Sequence, residues 1–176
     1  MATTATWLLR YPLSSNTVNV PQDMQNLATD TDAALTSVKN PPGCAGVRSA
    51  ALAVVTSTFT DITLPTEEFD NASMFTAGAA TFTVPTGFGG LYQCSCYVQW
   101  AANGTGSRSI QMQINGVDVD GAESEQPPAA AAVTRQGFSV PVKLSAGDVV
   151  KVRAFQSSGG NLNLNKARFG IVRLTS

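Results

Sequence analysis

The sequence predicts a mostly β domain of the sandwich or barrel kind, preceded by an extended arm and one short helix. Three observations carry this. Residues 91–100 place Tyr92, Cys94, Cys96, Val98 and Trp100 on one face and Gln93, Ser95, Tyr97 and Gln99 on the other, the period-2 alternation of a half-buried strand. From residue 45 onward, short alternating runs are broken by turn residues at regular intervals. Residues 21–38 alone carry helical spacing, and Asn40-Pro41-Pro42-Gly43 stops them.

The arm, residues 1–20, is rich in Thr, Ser and Asn and holds Trp7, Leu8, Leu9, Tyr11 and Leu13 without a core of its own. Aromatic residues in such a segment are expected to dock on something, and Trp7, Leu9 and Tyr11 are the candidate anchor. Residues 1–10 show neither an apolar signal region nor a cleavage site, so no signal peptide is expected.

The helix, residues 21–39 with its end at Lys39, opens on Pro21 and Asp23, which suit a first turn and the positive end of the helix dipole. Met24, Leu27, Thr31, Ala34 and Val38 recur at alternating three and four, and Ala28 and Leu35 widen the stripe. A helix this short is marginal in water, so its stripe needs a partner. Packing on copies of itself is favoured over packing on its own β-domain, because a Pro/Gly linker, residues 40–44, intervenes.

In the β-region, residues 47–58 read as a strand with 59–64 as its candidate continuation, and 67–72 as a polar connection. Residues 81–84 and 91–100 are strands joined by Pro85-Thr86-Gly87-Phe88-Gly89-Gly90. Residues 109–115 set Ile110, Met112 and Ile114 against Ser109, Gln111 and Gln113, and Asn115-Gly116 supplies a type I′ turn into Val117 and Val119. Residues 121–132 read as a long acidic, Pro/Ala-rich loop. The strand 136–144 contains Pro141 and so belongs at an edge or bulge. Ser145-Ala146-Gly147-Asp148 turns into 149–155, residues 157–165 read as a polar loop, and 168–175 as the last strand.

Composition narrows the function. At 43% hydrophobic the chain of 176 residues can fill a core, while charged residues are only 13% and net charge is −1. No Lys/Arg run gives the footprint of a nucleic-acid binder, and no apolar run approaches the ~20 residues of a membrane span. Histidine is absent, which excludes Ser-His-Asp and Cys-His catalysis, histidine acid–base chemistry and histidine metal sites. Cys94 and Cys96 share a strand face too closely to bridge and lack zinc spacing, so they read as buried thiols; Cys44, in the linker, reads as exposed.

Two sets of residues resemble known families. Thr81-Phe82-Thr83-Val84-Pro85, Gly90-Leu91-Tyr92, Leu144-Ser145-Ala146-Gly147-Asp148-Val149-Val150 and Phe169-Gly170-Ile171-Val172-Arg173-Leu174 resemble the jelly-roll heads of the complement and tumour-necrosis-factor superfamily, over residues 45–176. Leu9-Arg10-Tyr11-Pro12, Val18-Asn19-Val20-Pro21-Gln22-Asp23-Met24-Gln25-Asn26-Leu27-Ala28 and Asp30-Thr31-Asp32-Ala33-Ala34-Leu35 resemble the opening of minor tail or fibre proteins of tailed bacteriophages, actinophage type above all. No Gly-X-Y stretch is present, so a long collagenous stalk is not expected.

These resemblances imply an antiparallel jelly-roll head, a homotrimer about a threefold axis, and outer loops that bind the partner. The expected protein is non-enzymatic and without cofactor: a virion structural protein made in the host cytoplasm. It would be held to other virion proteins by its arm and would turn its head to a host-surface glycan or protein. A head fibre or capsid decoration protein is the alternative on the particle, and a secreted lectin-like or cytokine-like trimer the alternative off it. Asp118, Asp120, Glu123 and Glu125 form the densest acidic group; they read as a solvated loop, with Ca²⁺ binding as the alternative. A glycosidase pair among them is disfavoured in so short a chain. Trp100 and Tyr92 could stack on sugars but share the buried face, so core packing is expected. The candidate ligand-loop residues are Asn103, Thr105, Arg108, Asn161 and Asn163.

Overall fold

A computed structural model describes residues 2–3, 10–11 and 19–175; the side chains of residues 2–3, 10–11 and 37–38 lie outside the description. The chain divides into two compact units, Met1–Pro41 and Pro42–Ser176.

In the first unit, two short strands, β1 (Ala2–Thr3) and β2 (Arg10–Tyr11), pair antiparallel. The helix α1 (Val20–Lys39) follows. Asn19 caps it, its side-chain oxygen accepting the Gln22 amide at 3.3 Å, and Asp23 lies in the first turn. At the other end the Asn40 amide donates to the Thr36 carbonyl at 3.0 Å, and Pro41 and Pro42 prevent continuation. Thr29, Thr31 and Thr36 each donate their hydroxyl to the carbonyl four residues back.

The second unit is an antiparallel jelly-roll sandwich of two sheets. Its strands in chain order are β3 (Gly43–Arg48), β4 (Leu52–Val54), β5 (Thr60–Asp61), β6 (Thr66–Asp70), β7 (Thr81–Thr83), β8 (Gly90–Trp100), β9 (Arg108–Ile114), β10 (Val117–Gln126), β11 (Arg135–Leu144), β12 (Val149–Gln156) and β13 (Leu162–Thr175). One sheet runs β11-β8-β13-β3-β6, with β4 also on β13; the other runs β10-β9-β12-β5, with β7 also on β12. The core lies between them. Tyr92, Cys94, Cys96, Val98 and Trp100 enter it from β8, Ile110 and Met112 from β9, Val150, Val152 and Ala154 from β12, and Leu164, Phe169 and Ile171 from β13. Phe82 is edge-on to Phe75 at 4.7 Å and stacked on Phe169 at 4.9 Å between ring centroids.

Several boundaries differ from the sequence reading. The run 47–58 is two strands separated by a bend, and 59–64 does not extend them: β5 pairs with β12 in the opposite sheet. Residues 67–72 are largely the edge strand β6, exposed along most of its length and therefore polar. The acidic stretch from Gly121 is not a loop but the second half of β10, displaced by a register shift between Asp118 and Glu123 where Gly121 has φ +77°. The polar stretch 157–165 ends early, because Leu162 and Leu164 are buried and pair with Val54 and Leu52. Gly43 and Cys44 belong to β3 rather than to a linker, and Cys44 is wholly buried. Pro141 sits in β11, an edge strand, opposite Gln93. All three cysteines are free and buried.

Candidate functional site

Register places the loops. In one sheet Arg135 lies opposite Gln99 and Trp100 opposite Leu164; in the other, Gln126 and Gln156 both lie opposite Arg108. Loops 101–107, 127–134 and 157–161 therefore gather at one end of the sandwich. Gly43, where the chain enters the head, lies opposite Val172, at the other end, with the turns 85–89, 115–116 and 145–148. The end away from chain entry is called the tip below.

The tip is tightly bonded. Asn103 and Ala129 exchange backbone hydrogen bonds at 3.0 and 3.2 Å. The Ser107 amide donates to the Ser157 hydroxyl at 2.9 Å, and the Ser157 amide to the Ser107 carbonyl at 3.2 Å. Buried Gln156 donates to the carbonyls of Val54 at 3.0 Å and Gly160 at 2.7 Å, and accepts from the Ser158 amide at 2.7 Å. The Gly159 amide donates to the Thr56 hydroxyl at 3.1 Å. A Cβ on Gly106, which has φ +66°, would come within 2.2 Å of the Ser157 carbonyl oxygen, so only glycine fits there.

Arg108 corrects the sequence reading. Expected in a ligand loop, it is wholly buried and serves as the loop's internal fastening. One guanidinium nitrogen donates to the carbonyls of Thr105, Gly106 and Ser107 at 2.7, 2.9 and 3.3 Å, the other to that of Asn103 at 2.7 Å. It makes no ion pair among the described residues, and burial lowers its affinity for the proton. Asn103 is half-buried, its side chain taking the Thr105 amide at 2.8 Å, whereas Thr105, Asn161 and Asn163 are exposed.

Sequence reasoning missed Gln136. It accepts from the Trp100 indole at 2.7 Å and donates to the carbonyls of Arg108 at 2.8 Å and Ser124 at 3.0 Å, tying the two sheets together under the tip. Its place in a strand otherwise alternating with Phe138, Val140 and Val142 was the available signal, since a glutamine on the inward face must find partners.

The acidic group is spread along β10. Asp118 bonds to Arg153 at 2.6 Å and Gln113 at 2.8 Å; Asp120, Glu123 and Glu125 are exposed, and the register shift comes between Asp118 and Glu123. Among the described residues no group of three or more His, Cys, Asp or Glu could hold a metal ion. Arg153 also lies over the Phe59 ring at 3.9 Å.

Two surfaces expose large apolar side chains among the described residues. On α1, Met24 is 66% exposed, Leu27 46% and Leu35 50%, with Thr31 exposed and Ala34 half-exposed along the same stripe. Trp7 and Leu9, and the side chains of Tyr11 and Val38, lie outside the described residues. On the six-stranded sheet, the face away from the core presents Tyr97, 39% exposed, beside Gly137 and Arg168, with Ser95 between Ser139 and Gly170. Arg135, Lys143, Lys166 and Arg168 stand exposed on the same face, and Arg168 pairs with Glu68 at 2.7 Å. Among the described residues no helix is long and apolar enough to cross a membrane.

Comparison with solved structures bears on the fold. The chain is similar to the PRD1 vertex protein P5 (TM-score 0.60, 16% identity, 77% of this chain and 99% of that one) and to the globular domain of zebrafish complement 1qA (0.58, 13%, 76% and 98%). It is also similar to the Eiger TNF of S. frugiperda (0.53, 17%, 77% and 94%). The head has the complement/TNF-type jelly-roll fold. No family model matches the chain, and no curated protein matches its sequence.

Proposed function

We propose that this chain is a non-enzymatic virion structural protein, a homotrimeric minor tail or fibre protein. Its N-terminal region holds it to the particle, and its jelly-roll head attaches to the host surface. The observation that carries this reading is the uncovered stripe of α1: Met24, Leu27, Thr31 and Leu35 repeat at coiled-coil spacing and stand in solvent in the single chain. A helix with half-exposed leucines gains most by packing on copies of itself, and exposed Tyr97 on the outer face of the six-stranded sheet offers the heads a second contact.

The head's topology supports an outward role. The chain enters at Gly43 and the tip loops lie at the opposite end, so an anchored N-terminus leaves them free to meet another surface. The likeness to a PRD1 vertex protein favours a second location on the particle, as a capsid decoration or head fibre protein.

Light scattering of the full chain tests the assembly: a trimer has three times the 18.3 kDa chain mass, and a monomer at micromolar concentration overturns it. Immunogold imaging of intact particles with an antibody to the head decides between tail and capsid.

A further inference from the structure

We propose that the tip binds an acceptor-rich anionic polymer, one that carries phosphate or carboxylate groups. This rests on the attachment role above and names the chemistry of what the tip attaches to.

The inference comes from an inventory of charge and hydrogen-bonding groups. The segments 55–59, 101–107, 127–134 and 157–161 that form or flank the tip contain no ionisable side chain. Directly beneath them lies Arg108, wholly buried, its charge met by the carbonyls of residues 103, 105, 106 and 107 and by no carboxylate. Carbonyl dipoles soften a buried positive charge but do not cancel it, and in a poorly polarisable interior its field reaches the surface above. Arg135 stands exposed at the base of the same end and makes no ion pair among the described residues, while Glu125 on β10 is the tip-side acid of the neighbouring sheet.

The hydrogen-bonding balance points the same way. Arg108 consumes the carbonyl oxygens of its loop, yet the amides of Gly104, Gly106 and Gly160 have no acceptor among the described residues. Three such donors on two adjoining loops beside a fixed cation favour negative charge. The loops are already bonded to one another, so little ordering would be lost on binding. Neutral glycans satisfy part of this inventory; anions satisfy all of it.

Gly160 gives a clean probe, because a Cβ there meets nothing within 4 Å and its backbone needs no positive φ. The full-length protein is passed over immobilised poly(glycerol phosphate), polyglucuronate and dextran, with binding to intact actinobacterial cells measured in parallel. Binding to one or both anionic polymers is expected, weakening with salt, with dextran at background. The two anionic polymers separate a phosphate from a carboxylate source. Gly160→Glu should weaken that binding by roughly tenfold, and Gly160→Lys and Arg135→Gln should shift it about threefold up and down, respectively. Equal binding to dextran, or a Gly160→Glu variant that melts like the parent and binds the anions as well, overturns the proposal. Cell binding without polymer binding sinks the anionic ligand but leaves the attachment role standing. Binding to neither cells nor polymers removes both.

Discussion

The indole nitrogen of Trp100 and the side-chain oxygen of Gln136, 2.7 Å apart, form a buried hydrogen bond under the tip. Gln136 spends its amide on the Arg108 and Ser124 carbonyls of the opposite sheet, so one residue joins both layers. Trp100→Phe leaves the Gln136 oxygen unpaired and is expected to cost about 1–3 kcal/mol. A double-mutant cycle with Gln136→Leu, read by urea unfolding, should show that the two losses are less than additive.

Arg108→Met replaces a guanidinium with a thioether and strands the carbonyls of residues 103, 105, 106 and 107. The expected result is local loosening: faster amide hydrogen exchange in 102–107 and 157–160, with protection of β8 and β13 retained. Arg108→Lys should restore part of the protection, since an ammonium can reach some of those oxygens but not in the planar fork.

The buried thiols make stability fall in alkali. Burial pushes Cys94 up to about 12 and holds Cys44 and Cys96 higher still, above the ordinary thiol value. An unfolded chain would release these protons near pH 8.5 to 9 and the folded one would not, so the unfolded state binds fewer protons and gains as pH rises. The contribution is whole below about pH 8.5 and declines through pH 9–12, at up to about 1.4 kcal/mol per thiol per pH unit. Guanidinium titrations at pH 7, 9 and 10 measure it, and Cys94→Ala should flatten the decline. At pH 8 a folded Cys94 is buried and protonated, so a thiol reagent should find it only after denaturation.

Leu27→Glu and Leu35→Glu place charges in the stripe of α1, where the two leucines are 46% and 50% exposed. Light scattering should show the trimer weakened or lost, while amide-exchange protection of β8 and β13 in the full chain is retained. Tyr97→Glu makes the matching test of the sheet face. If none of the three substitutions changes the mass, self-association through these surfaces is wrong.

Gly46→Ala is expected to destabilise the head, because a Cβ there would lie 2.9 Å from Leu64 Cβ and from the Phe75 ring. A cost of about 1–3 kcal/mol by urea unfolding fits overpacking of this kind.

The parts of this fold that could be read from sequence are those where one face is buried and the other is not. β8 shows its alternation because its inward residues are all large or apolar, and β12 does the same. β6 and β10 are exposed on both faces for most of their length, so no period of two exists for a reader to find. In β10 the register shift near Gly121 also breaks the phase. Arg108 misled for another reason. A charge beside a Gly/Ser loop reads as solvent-facing, and the backbone carbonyls that bury it belong to a turn conformation that residue types do not reveal. The same holds for Gln156, whose partners Val54 and Gly160 include one far away in sequence.

Because the chain enters the head at Gly43 and the tip lies at the far end, the two ends answer to separate demands. A peptide grafted between Gly159 and Gly160, where side chains would meet open space, leaves β3 and everything before it untouched. The head is thus a natural carrier for foreign epitopes, and a library of loop sequences could be sorted on it without re-engineering how the protein is held.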